Sequence, residues 1–212
     1  MVSGSVVTRH GFRLAPSIIE IDEAGHPVPD EGSVRAAQRA LADARAATAN
    51  DVVLCLLSGG ASALWSAPVA GVTLEAKQAL TRALLRAGAR ISEINTVRRH
   101  ISAIKGGRLA AAAYPAALLT LAISDVPGDD PAVIGSGPTV ADASTLADAR
   151  AVLARFSITP PPEIAAALAD PANETVKPGS VALANSRYEL IATPRASIEA
   201  AAVLARAAGS RL

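Results

Sequence analysis

Residues 52–65 read VVLCLLSGGASALW. Six apolar residues in a row have the character of a strand buried on both faces, as in a parallel sheet covered by helices. The strand empties into Ser58, Gly59 and Gly60 and then into helix-forming residues. Glycines there permit positive φ and let the backbone come close to a ligand. A helix beginning near Ser62 would bring its positive end and its free N–H groups to the same spot. In open α/β sheets, loops at the carboxyl ends of strands are where ligands bind. The competing explanation is a tight strand-to-helix turn with a serine N-cap. Neither GxxxxGK[ST] nor GxGxxG occurs, which excludes the common P-loop and the dinucleotide fingerprint.

Outward from this stretch, strand-like and helix-like segments alternate. That is the pattern of βαβ units, and it predicts an α/β, Rossmann-like fold: a mainly parallel sheet with helices on both faces. Upstream, SVVT (5–8) and SIIEIDEA (17–24) read as strands, and a loop at 26–32 leads into a helix over 34–47. Downstream, helices are expected at 73–87, 91–104 and 108–113, followed by a second buried strand, ALLTLAI, at 117–123. Helices at 145–156 and 163–168, a strand at 189–193 and a helix at 196–208 complete the reading. The opening strand has no evident partner, and no strand follows the last helix. Residues 1–212 therefore read as a single α/β domain that is part of something larger.

Half of the 212 residues are hydrophobic but only 2% are aromatic, so the core must be built from Ala, Val, Leu and Ile. Twenty Lys and Arg against nineteen Asp and Glu leave a net charge of +1, with no basic field for nucleic acid. The lack of aromatics removes the stacking platforms of single-strand binders as well. Cys55 stands alone, which excludes an internal disulfide or a cysteine metal cluster. The most apolar stretch, 109–123, is interrupted by Pro115 and is shorter than the roughly 20 residues a membrane helix needs. The N-terminus lacks the apolar run of a signal peptide. A cytoplasmic protein without a membrane partner is the expectation, and a homo-oligomer is compatible with it.

Two further segments carry chemistry. In ISEINTVRRHISAIKGGRLA (91–110), about 100° per residue puts Ile94, Val97, Ile101 and Ile104 on one stripe. Asn95, Arg98, Ser102 and Lys105 run beside it, either lining a cleft or snorkelling past the core. Arg99 and His100 point away, His100 as an ordinary surface histidine. Lys105 and Arg108 flank Gly106 and Gly107 at an expected helix break, where charge beside open backbone amides suits a carboxylate or phosphate. The other segment, SDVPGDDP (124–131), sets Asp125, Asp129 and Asp130 in one loop at a strand end. Such carboxylates hold magnesium together with nucleotide phosphates, or orient an attacking hydroxyl. Turn formation by Asp before Pro and Gly competes for at least one of the three.

Several long stretches give the chain a resemblance to the type II glycerate kinase family. They are EAGHPVPDE, CLLSGGASAL, TLEAKQALTRALLRAGA, INTVRRHISAIKGGRLA, ISDVPGDDPAVIGSGPTV and KPG. The resemblance implies phosphorylation of D-glycerate at its 2-hydroxyl, with ATP and Mg2+. It implies ligand binding at Ser58, Gly59, Gly60 and Ser62, with Asn95, Arg98, Gly106, Gly107 and Arg108 on the cleft side. Lys105 and Asp129 are then the expected catalytic residues, and Asp125 and Asp130 the expected metal ligands. Relatives often bear the name hydroxypyruvate reductase, so an NAD(P)H-dependent reductase is the alternative. Ala61 stands where the family usually has a third glycine, which costs stability if that position needs positive φ. Family members are longer: an upstream GKA-type lysine motif and a C-terminal MOFRL domain are absent. The expectation is a partial N-terminal domain, impaired on its own, or a non-catalytic paralogue.

Overall fold

The computed structural model describes residues 3–15 and 18–209. Strands β1 (Ser5–Arg9) and β2 (Glu20–Ala24) pair in parallel, with Ser5 opposite Glu20 and Arg9 opposite Ala24. The opening strand therefore does have a partner. The expected start of β2 at Ser17 lies outside the described residues. Helix α1 (Glu31–Ala46) begins three residues earlier than the apolar pattern suggests, because Asp30 caps it. The Asp30 carboxylate accepts from the Ser33 N–H, and the Ser33 hydroxyl accepts from the Asp30 N–H, both at 3.1 Å.

Strands β3 (Val52–Leu57), β4 (Ala117–Ile123) and β5 (Ser186–Ala192) form a second sheet, parallel throughout, in the order β3-β4-β5. Parallel strands with helical connections are the α/β class the alternation predicts. Helix α1 and, further along, helix α5 (Arg108–Ala113) lie on one face of this sheet. There Ala37, Leu41, Leu109 and Ala113 pack on Cys55, Leu57, Leu118 and Ala122, an aliphatic core, as the composition requires. The reading of VVLCLL as buried on both faces fails. Cys55 and Leu57 turn inward, whereas Val52, Leu54 and Leu56 are 74%, 55% and 65% exposed. The strand alternates in burial although its sequence does not.

Between β3 and β4 the chain makes a single helical turn, α2 (Ala61–Leu64), and helices α3 (Leu74–Arg86) and α4 (Ile91–His100). With α6 (Leu146–Arg155) and α7 (Pro162–Ala169), α3 and α4 enclose a second core around Leu80, Leu84, Ile94, Val97, Leu153 and Ile164. Helix α4 stops at His100 rather than 104, and residues 101–107 are turns and bends, with Ser102 bridged to Pro68. The Arg108 guanidinium closes it, donating to the carbonyls of Arg99 and Ser102. Strand β5 starts three residues earlier than expected. Helix α8 (Pro194–Ala207), capped by Thr193, buries none of its residues. Because β3, β4 and β5 are parallel neighbours, Ser58, Ser124 and Thr193 leave the sheet at one common edge.

Candidate functional site

At the end of β3, Gly60 takes the left-handed conformation at φ 86° and Ala61 opens the α2 turn. Positive φ thus falls on Gly60 rather than on Ala61, and alanine carries no conformational penalty there. A helix does begin where expected, beside Ser62, but at four residues it has little dipole to offer. The amides remain. Among the described residues, the N–H groups of Gly59, Gly60 and Ser62 find no acceptor. The neighbouring strand end supplies a carboxylate: a Cβ on Gly59 would fall 2.5 Å from Asp125 Oδ2. On Gly60 it would fall 3.0 Å from His26 Nε2, so the β2 side of the molecule also closes on this turn. Ser58, Gly59, Gly60, Ser62 and Asp125 come together.

The glycines of KGGR are different. Gly106 and Gly107 have φ of 60° and 80°, but their N–H groups donate to Ser136 O at 3.3 Å and Gly137 O at 2.8 Å. The open amides expected there are engaged with the GSG turn of residues 135–137. Lys105 is 1% exposed and makes the third link between these segments. Its ammonium donates to Ser62 O at 3.0 Å, Ser62 Oγ at 3.2 Å and Gly135 O at 3.1 Å, which uses all three of its donors. Burial, then the charges of Lys77 and Arg98, hold its pKa well below the usual lysine range. Arg108 is likewise occupied, by the carbonyls of Arg99, Ser102 and Asn173. Asn95 is buried and accepts from Ser136 Oγ at 3.4 Å, while Ser136 and Ser62 share a 2.9 Å bond. Asn95, Ser136, Ser62 and Lys105 therefore form one polar chain leading to the β3 turn.

The aspartates of the β4 loop separate. Asp125 is exposed beside Gly59. Asp129, at φ 54°, lines a cleft of about 370 Å3 with Gly128, Arg195, Ile198 and Glu199, and its Oδ1 is buried without a hydrogen-bond partner. Asp130 accepts the Ala132 N–H at 2.9 Å and caps the turn that follows, the local role open to an Asp before Pro. Among the described residues, no three His, Cys, Asp or Glu side chains are grouped to hold a metal by themselves. A nucleotide-bound magnesium does not need such a group, since one or two carboxylates and the phosphates suffice.

Arg99 and His100 correct the helical-wheel reading, for both are buried, at 8% and 0% exposure. His100 Nδ1 lies 2.8 Å from Thr96 O and Nε2 lies 2.9 Å from Glu174 Oε1. Both partners accept, so the ring holds both only with both nitrogens protonated. Burial tends to raise the Glu174 pKa, but hydrogen bonds from Lys177, Leu146 N–H, His100 and Thr175 N–H bring it down to about 2. Arg99 Nε lies 3.0 Å from Asp142 Oδ2, an ion-pair distance off the line of a hydrogen bond, and its other nitrogens reach Ala132 O and Ser144 Oγ. The last turn of α4 is covered on more than its apolar side, which one apolar stripe does not reveal. The sequence reading also passed over Lys77, buried on α3. The signal was available: Lys77 stands three residues before Leu80 and seven before Leu84, on their apolar stripe.

Parallel strands that turn toward one common edge, with helices packed against them, make this an α/β protein of the open-sheet class. Residues 1–169 match the family described as a domain of unknown function, DUF4147, and the chain belongs to that family. An Agrobacterium vitis protein carrying the provisional name hydroxypyruvate reductase is 53% identical over 208 residues, 98% of this chain and 47% of the relative. The D-glycerate 2-kinase of Thermotoga maritima is 50% identical over 156 residues, 73% of this chain and 37% of that enzyme. A crystal structure described as glycerate kinase from Thermotoga maritima superposes with a TM-score of 0.89 at 43% identity, covering 98% of this chain and 49% of that one. The kinship with glycerate kinases that the motifs suggest is met. The chain spans about half the length of the curated relatives it matches most fully. Among the described residues, no helix is long and apolar enough to cross a membrane.

Proposed function

We propose that this chain carries part of the site of a D-glycerate 2-kinase, which transfers a phosphoryl group from ATP to the 2-hydroxyl of D-glycerate. The observation behind this reading is the pairing, at adjacent parallel strand ends, of three N–H groups lacking acceptors with the Asp125 carboxylate. The amides of Gly59, Gly60 and Ser62 bind phosphate oxygens, as backbone N–H groups do in anion-binding turns. Lys105 holds their turn in place from behind. Asp125, rather than the locally engaged Asp130, is the carboxylate that would hold Mg2+, which when bound neutralises charge on the nucleotide phosphates. Asp129, with an unpartnered carboxylate oxygen, accepts the proton of the attacking hydroxyl. On this reading the chain is a single α/β domain, the partial N-terminal domain of a cytoplasmic enzyme.

Incubated with ATP, Mg2+ and D-glycerate, the protein is expected to release ADP only when all three are present. Asp129→Asn should lower that rate about a hundredfold or more. The names of the Agrobacterium vitis relatives favour a second reading, reduction of hydroxypyruvate by NAD(P)H. Oxidation of NADH by hydroxypyruvate, without ADP release, would establish it and overturn the first. Calorimetric binding of D-glycerate without turnover would point instead to a non-catalytic chain.

A further inference from the structure

Among the described residues two lysines are buried, Lys77 and Lys105, and of these Lys105 alone has partners. Lys77 is 4% exposed, and its ammonium has no hydrogen-bond acceptor among the described residues. Nor, among the described residues, is there a carboxylate within ion-pair distance of it. The charged groups that bear on it are all cations: Arg98 from α4, Lys105 from the turn after it, and Arg108 from α5. Lys105 and Arg108 are engaged with backbone oxygens, as described above. Arg98 is half-buried and, among the described residues, enters no ion pair. The carboxylates that act on this cluster, Glu174 and Asp142, act on Arg108 and already face His100, Lys177 and Arg99.

A buried ammonium among like charges, without an acceptor, is costly for the empty fold. Burial, with the charges of Arg98 and Arg108, brings the Lys77 pKa down to about 7. The fold thus accepts an unfavourable cation where a leucine or methionine would pack without cost. We propose that Lys77 and Arg98 form a buried subsite for a small oxyanion, a carboxylate or a phosphate group, entered from the half-exposed Arg98 side. Through Lys105, which feels both of them and bonds Ser62, the subsite lies next to the β3 turn. The proposal rests on the kinase reading only for the source of the oxyanion, since both D-glycerate and the nucleotide carry one.

The test is thermal unfolding and titration calorimetry of the whole chain near pH 7, with inorganic phosphate, D-glycerate or ADP added singly. At least one should raise the melting temperature and bind with uptake of a proton, read as a dependence of the heat on buffer ionisation. Protection by phosphate and ADP assigns the subsite to the nucleotide, and protection by D-glycerate alone assigns it to the acid's carboxylate. Lys77→Met keeps the side chain's length and removes its charge. It should raise the melting temperature of the unliganded chain, weaken oxyanion binding about tenfold or more, and abolish the proton uptake. Arg98→Gln should weaken the same binding by a similar factor. The proposal is overturned if no oxyanion protects, if Lys77→Met binds as well as the parent, or if it melts lower in the absence of ligand. None of these measurements requires turnover. Oxyanion binding lost in Lys77→Met, with a parent that oxidises NADH by hydroxypyruvate and transfers no phosphoryl group, would sink the kinase reading and leave the subsite standing.

Discussion

The molecule contains two glycine-pair turns that look alike in sequence, SGG at 58–60 and KGG at 105–107. Each follows an apolar segment, and each has glycine in the left-handed region. In the first, three N–H groups of the turn have no acceptor among the described residues. In the second, Gly106 and Gly107 donate to Ser136 O and Gly137 O, and the adjacent lysine is saturated. A glycine pair makes close backbone approach possible, but what approaches depends on the facing segment. Opposite KGG lies the chain's own GSGP turn, whereas opposite SGG lies an aspartate. The closed turn supports the open one, because Lys105 donates to both Ser62 and Gly135.

The harshest way to break this relation is Lys105→Ala. It leaves Ser62 O and Gly135 O without their donor and opens a cavity, so a loss of about 3 kcal/mol or more is expected in denaturant unfolding. Anion binding at the β3 turn should disappear with it. Gly107→Ala comes next. At φ 80° its Cβ would fall 2.9 Å from both Val140 O and Val176 Cβ, and about 2 kcal/mol of destabilisation is expected. The same change at Gly59 meets only the end of the exposed Asp125 side chain, which can swing aside. Gly59→Ala should therefore cost less than about 1 kcal/mol of stability while lowering ligand affinity about tenfold. Equal stability losses at the two glycines would erase the distinction between the turns. Ala61→Gly should lower stability by only about 0.5 kcal/mol, because Ala61 sits in a single helical turn.

A pH experiment separates the turns in another way. Thr175 and Val176 back the closed turn: Val176 N–H donates to Gly106 O at 3.0 Å. Next to them, Glu174 has its pKa lowered from 4.5 to about 2 in the fold. Its contribution is present above pH 4.5 and is lost as pH falls toward 2, since the unfolded carboxyl takes up its proton first. Glu174→Gln should flatten that part of the acid-unfolding curve. Lys77 runs the other way. Its pKa falls from 10.5 to about 7 on folding, so the stability gained by Lys77→Met should be largest below pH 7 and shrink as pH rises toward 10.5.

Strands β3 and β4 were legible to the residue, because apolar runs bounded by polar ones leave little freedom in placing a buried strand. Helix starts were less so. Helices α3 to α7 begin within a residue of their expected positions, but α1 and α8 begin three and two residues early, where Asp30 and Thr193 cap through side-chain oxygens, a signal that apolar periodicity does not weigh. The early residues of β5, Ser186 to Tyr188, are polar or aromatic and give no alternation to read. Asp125 and the SGG turn came together as the strand rule predicts, since neighbouring parallel strands must end side by side. The buried state of Arg99 and His100 was out of reach. It depends on Asp142 and Glu174, which lie far along the chain and become partners only when α6 and the segments beside it fold against α4. Lys77 was legible but unread, a cation on an apolar stripe.

Strand β3 both carries the amide-bearing turn and forms the margin of its sheet, hydrogen-bonded to a neighbour on one side only. Val52, Leu54 and Leu56 face outward along that margin. Its position is held by β4 and by α1 beneath, and among the described residues nothing matches that support above. Any surface that comes to rest on those three aliphatic side chains will steady the strand, and with it the orientation of the amides at its tip. On the reading proposed above, binding strength at the turn and occupancy of that outer surface are linked through the six residues of β3.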